Sequence, residues 1–72
     1  MVAEIRRLLA ARRFVLFSIY PADGAELDVP TVDHAAISPD GSTLVVFFDD
    51  GTAQFLLPLL IARIAKREVD PS

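Results

Sequence analysis

Three Asp-Gly pairs punctuate the chain, and together they use every glycine it has: Asp23-Gly24, Asp40-Gly41 and Asp50-Gly51. Glycine supplies the positive φ that a tight turn needs, and a neighbouring aspartate bonds to the local backbone. Pro21 and Pro39 stand ahead of the first two corners, where proline pre-sets φ for a turn. Each corner is flanked by β-branched, aromatic or leucine-rich residues, the signature of a hairpin. The spacing predicts four strands at Phe14–Tyr20, Ala25–Ile37, Thr43–Phe48 and Thr52–Leu57, joined as an antiparallel meander. Pro30 interrupts the second and removes a ladder donor, so that strand is bent or falls into two pieces.

Taking Asp50-Gly51 as a two-residue loop sets Val46 opposite Phe55 and Leu44 opposite Leu57. One face of that hairpin is then wholly apolar: Leu44, Val46, Phe48, Ala53, Phe55 and Leu57. The other, with Thr43, Val45, Phe47, Thr52, Gln54 and Leu56, is mixed. A slip of one residue would exchange the two sets, so the apolar face argues for this register. Before the strands, residues 2–11 place Val2, Ile5 and Leu9 on one helical stripe with Leu8 beside it. After them, Pro58 suits the first turn of a second helix. Leu60, Ile61, Ile64 and Ala65 form its apolar side, with Arg63, Lys66 and Arg67 outward. The expected architecture is one α+β domain over residues 1–72, α-β-β-β-β-α, ending in a frayed tail at Asp70-Pro71-Ser72.

A chain of 72 residues without cysteine has no disulfide or thiolate metal site to support its core. Apolar packing must do so, and 53% hydrophobic residues supply it and exclude disorder. The longest charge-free stretch, Gly51 to Ala62, is shorter than the roughly twenty residues a membrane helix needs. Arg12-Arg13 precede the apolar run Phe14 to Tyr20, but that run is at the short limit for an export signal. The expected location is the cytoplasm. Net charge is −3 and unevenly spread: residues 14–62 hold seven acids and no lysine or arginine, while both ends are basic.

Nothing in the spacing selects a catalytic group. Ser18, Ser38, Ser42 and Ser72 lack a Gly-x-Ser-x-Gly setting. The single histidine, His34, faces Val46 on the apolar face if the Pro39-Asp40-Gly41 loop has three residues, and lies on the mixed face if it has two. It is either a hydrogen-bonded structural histidine or a pH-sensitive or ligand-contacting one beside Asp33. The turn-forming aspartates are explained without a metal, and no calcium-loop pattern is present. No glycine-rich strand-to-helix junction exists to hold a phosphate. No catalytic residue, metal or cofactor is therefore expected. Arg6, Arg7 and Arg13, with the basic residues of the second helix, could contact nucleic-acid phosphates if both helices share a sheet face. The alternative, favoured by the acidic balance and the lack of interleaved aromatics, is that they are solvated outer faces.

The stretch from Val32 to Arg67 resembles the small bacterial domain-of-unknown-function 2442 family. The resemblance is carried by a hairpin of the form L-x-V-x-F-x-D-G, here Leu44, Val46, Phe48, Asp50 and Gly51, then an apolar strand, then Pro58-Leu59. It covers about half the chain. The aromatic that follows Pro-Leu in one branch of that family is replaced by Leu60 and Ile61. The resemblance implies a hairpin followed by a helix, no established catalysis, and a suspected place beside toxin–antitoxin-like partners.

The expectation is a non-catalytic protein-interaction module, regulatory or antitoxin-like, that self-associates as a twofold dimer through a sheet face or edge. Phe14, Phe17, Tyr20, Val45, Phe47 and Leu56 are its candidate surface, because contiguous apolar surface marks an interface. An inhibitor of a host defence or transcription complex, encoded by a phage or mobile element, is the second reading. Nucleic-acid binding through the arginines is the third.

Overall fold

The three corners close in one way. In the computed structural model, which describes residues 2–66, each glycine N–H donates to the carbonyl three residues back: Gly24 to Pro21 (3.1 Å), Gly41 to Ser38 (2.9 Å) and Gly51 to Phe48 (3.1 Å). Each aspartate Oδ1 accepts from the backbone N–H two residues on, at Ala25, Ser42 and Thr52. At Gly51 the backbone takes φ +91°, and Phe48 N–H reaches across to Thr52 O at 2.8 Å. This is a type I turn followed by a left-handed residue, a three-residue loop that places Asp49 inside the turn.

Helix α1 (Val2–Leu9) is followed by β1 (Phe17–Pro21) and β2 (Leu27–Val29). A 3-10 turn at Val32–His34 leads into β3 (Ala35–Ile37), β4 (Leu44–Phe47) and β5 (Ala53–Leu56). A second 3-10 turn at Pro58–Leu60 leads into β6 (Ile61–Lys66). The strands form two antiparallel three-stranded sheets, ordered β2-β1-β6 and β3-β4-β5. The α+β class, the N-terminal helix and the antiparallel hairpins agree with the sequence. A single four-stranded meander does not form, because the Pro30 break is complete: the turn capped by Thr31 carries the chain from one sheet to the other.

Among the described residues the expected second helix does not form either. Ile61, Ile64 and Ala65 have helical spacing, yet the segment pairs with β1 and gives that strand its second neighbour. A bulge makes this possible. Tyr20 lies opposite Arg63 and Pro21 opposite Ile61, so Ala62 is skipped. Skipping one residue brings Ile61 and Ile64 to the same sheet face although they are three apart. Arg67 and the tail Asp70-Pro71-Ser72 lie outside the described residues.

The β4–β5 register is one residue away from the two-residue-loop expectation. Val45 is opposite Phe55, Val46 opposite Gln54 and Leu44 opposite Leu56. The extra loop residue moves Leu56 into the core and turns Phe55 and Leu57 outward, as a slip by one must. At the preceding corner Ser38 N–H donates to Thr43 O. Ala36 lies opposite Val45, the parity of the two-residue loop, which puts His34 on the outward side.

The core lies between the sheets and beneath the helix. Phe17, Ile19, Leu27, Val29 and Ile61 from one sheet meet Ala35, Leu44, Val46 and Leu56 from the other, with Ile5 inserted from α1. Burying each of the larger side chains contributes about 1.5–3 kcal/mol. Arg6 fixes the helix in place by donating from Nη2 to the carbonyl of Ser38 at 3.3 Å.

Candidate interaction surface

The outer face of the β2-β1-β6 sheet is closed by its own side chains. Buried Ser18 donates to Asp28 Oδ1 at 2.7 Å on the next strand. Tyr20 donates to Glu26 at 3.0 Å, and its ring carries the Arg63 guanidinium 4.0 Å from the centroid. Such a cation over an aromatic face contributes about 0.5–1 kcal/mol at an exposed site.

The β3-β4-β5 sheet ends differently. Its outward row is Ala36, Val45 and Phe55 across three strands, with Phe47 and Ala53 beside them and Leu57 just beyond. Phe55 is 74% exposed in the middle of its strand, and Phe47 is 43% exposed. Leu59 and Leu60, in the 3-10 turn that follows, extend the apolar surface, Leu59 at 83% exposure. One shallow cavity of about 210 Å³ lies between Val45 and Phe55, and another of about 500 Å³ between Phe55, Leu60 and the Pro21–Asp23 corner.

Of the candidate surface residues, Val45 and Phe47 fall on this face. Phe17 and Leu56 do not: both are buried in the core, because the observed registers point them inward. Phe14 is half-buried with its ring 5.9 Å from that of Phe17, and Tyr20 lies on the opposite sheet. Sequence reasoning missed Phe55, Leu57 and Leu59. The signal that could have found Phe55 is the Asp49-Asp50-Gly51 triplet, which accommodates a three-residue loop as readily as a two-residue one.

His34 is half-buried and joined on both ring nitrogens: Nδ1 to Thr31 Oγ1 and Nε2 to Asp49 Oδ1, each at 2.7 Å. Its carboxylate partner is thus Asp49 and not Asp33, whose N–H instead donates to Thr31 Oγ1 at 3.3 Å. Hydroxyl, imidazole and carboxylate in a row have the composition of a nucleophilic triad. Here the hydroxyl is committed as the cap of the 3-10 turn, and the row ties that turn to the β4–β5 corner. Among the described residues no group of three or more metal-ligating side chains is placed to hold an ion.

At two corners, local donors favour the ionised carboxylate. The Ser42 N–H and the Ser38 and Ser42 hydroxyls lower Asp40 to about 2. The Thr52 hydroxyl and N–H lower Asp50. The arginines do not gather as the sequence allowed. Arg6 is bound to the β3–β4 corner and Arg7 is paired with Glu4, while Arg13 is exposed in the loop before β1. Arg7, Arg63 and Lys66 do line one groove between α1 and β6, with Glu4 in it.

No family model, curated protein or solved structure matches the chain. The resemblance of residues 32–67 rests on its quoted positions alone. The helix it implies after Pro58-Leu59 is replaced by a 3-10 turn and β6. No helix among the described residues is long and apolar enough to cross a membrane.

Proposed function

We propose that the chain is a non-catalytic protein-interaction module that acts through the outer face of the β3-β4-β5 sheet. The observation that supports this reading is Phe55, a phenylalanine 74% exposed at mid-strand and surrounded by Phe47, Leu57 and Val45. Scattered exposed leucines need no explanation, but a contiguous aromatic and aliphatic patch marks a surface that meets another molecule. Aromatic groups are also the side chains that dominate interface energetics. The acidic corners at Asp40 and at Asp49-Asp50 join β3 to β4 and β4 to β5 at the two ends of this sheet, and would favour a partner with basic groups around an apolar centre. A regulatory or antitoxin-like role is the use that such a module fits.

The test is a Phe47→Asp/Phe55→Asp double variant compared with the parent chain. Circular dichroism and thermal unfolding report the fold, and sedimentation or partner capture reports association. The expected result is an unchanged fold with association lost. Association that survives both substitutions would overturn the reading.

A further inference from the structure

The sheet edges are not equally protected. Edge strands expose unpaired N–H and C=O groups and are normally guarded by charge, proline or a covering element. Strand β2 carries Asp28, β6 carries Arg63 and Lys66, and β3 lies against α1. Strand β5 carries neither charge nor proline, and no residue from Gly51 to Ala62 bears a charge. Among the described residues it is the terminal strand of its sheet, with the Pro21–Asp23 corner and Leu60 set off from it by a cavity.

The phase of its hydrogen bonds follows from the corner. Phe48 N–H bonds to Thr52 O, and ladder bonds recur at alternate residues, so Gln54 and Leu56 bond toward β4. Ala53 and Phe55 therefore turn their N–H and C=O groups to the open edge. The cavity of about 500 Å³ lined by Gln54, Phe55, Leu60, Pro21 and Ala22 opens there.

We propose that β5 pairs antiparallel with β5 of a second copy of this chain about a twofold axis at Gln54, joining two three-stranded sheets into one of six. The proposal rests on the interface reading above and names its occupant. With the axis at Gln54, Ala53 lies opposite the second copy's Phe55 and Phe55 opposite its Ala53. Every outward backbone group of Ala53 and Phe55 is then bonded, and a large ring meets a methyl group twice. An axis at Phe55 would instead need the Leu57 carbonyl, which already accepts from Leu60 N–H at 2.8 Å. Charge selects the direction. Antiparallel pairing puts the two Asp49-Asp50 corners at opposite ends, whereas parallel pairing would bring four carboxylates together. The twofold contact is self-complementary, as a closed dimer requires.

The chain has no cysteine, so a Gln54→Cys variant reports this contact alone. Opposed residues of a non-hydrogen-bonded antiparallel pair have Cα atoms about 4.5 Å apart, within the roughly 4.4–6.8 Å that a disulfide spans. Under mild oxidation Gln54→Cys should form a disulfide-linked dimer about tenfold or more faster than Ala36→Cys, at an exposed position on the opposite edge strand, because pairing raises the effective thiol concentration. Sedimentation of the parent chain should move from one chain to two with concentration, and Phe55→Asp should hold it at one. Equal cross-linking rates with a parent chain that stays single at every concentration would overturn the proposal. If such a monomer still loses capture of another protein on Phe55→Asp, self-pairing fails and the interface reading stands. If Phe55→Asp changes neither, both fail.

Discussion

On the outer face of the β2-β1-β6 sheet, Ser18 answers Asp28 and Tyr20 answers both Glu26 and Arg63. On the outer face of the β3-β4-β5 sheet, Val45 lies opposite Phe55 with Phe47 beside them, an apolar row that leaves Phe55 74% and Phe47 43% exposed. The two sheets share one core, so the difference lies only in what each turns outward. Cross-strand polar pairs make a sheet face self-sufficient. On the proposed reading, the bare aromatic face is where another molecule makes contact. One sheet is finished as a fold and the other as a surface.

The largest expected effect separates inside from outside. Phe17→Ala should cost about 3–5 kcal/mol in urea unfolding, whereas Phe55→Ala, exposed on the bare face, should shift stability by no more than about 0.5 kcal/mol. Equal losses would erase the distinction. Gly51→Ala should cost about 1–2 kcal/mol: its φ is +91° and an added methyl meets no atom within 4 Å, so the cost is backbone strain alone. Ser18→Ala should cost about 1 kcal/mol by removing the bond to Asp28 on the finished face.

The smallest effect appears in acid. Asp40 is lowered from 3.8 to about 2 by its serine donors, so it binds protons less readily folded than unfolded. Its contribution is fully present above the unfolded value and is lost as pH falls from about 4 through about 2. Unfolding measured across that window should show a shallower acid slope for Asp40→Asn than for the parent chain.

How much of this was legible in the residues depends on the element. The corners were, because an Asp-Gly pair has local turn chemistry that tertiary structure does not override. The stripe Val2, Ile5 and Leu9 gave the helix for the same local reason. Strand β6 was not legible: Ile61 and Ile64 are three apart, which reads as helical, and only the bulge at Ala62 reconciles that spacing with a strand. The candidate surface was legible in kind and misplaced in detail. One additional loop residue at Asp49 exchanged Phe55 for Leu56, and hydrophobic pattern alone does not set a register when both faces are rich in apolar residues. The link from His34 to Asp49 was hidden by the same uncertainty, although Thr31 ahead of Val32-Asp33 is a readable cap.

The contrast between the two faces is tested most directly by placing one substitution on each. Phe55→Lys and Tyr20→Lys add the same charge in place of an aromatic ring, and thermal unfolding together with sedimentation reads both. With melting read at a concentration where the parent is a single chain, Phe55→Lys should keep the melting temperature and, at higher concentration, abolish association. Tyr20→Lys should lower the melting temperature and leave association intact in the folded fraction. The reverse assignment, with Tyr20→Lys removing association and Phe55→Lys removing stability, would contradict the account.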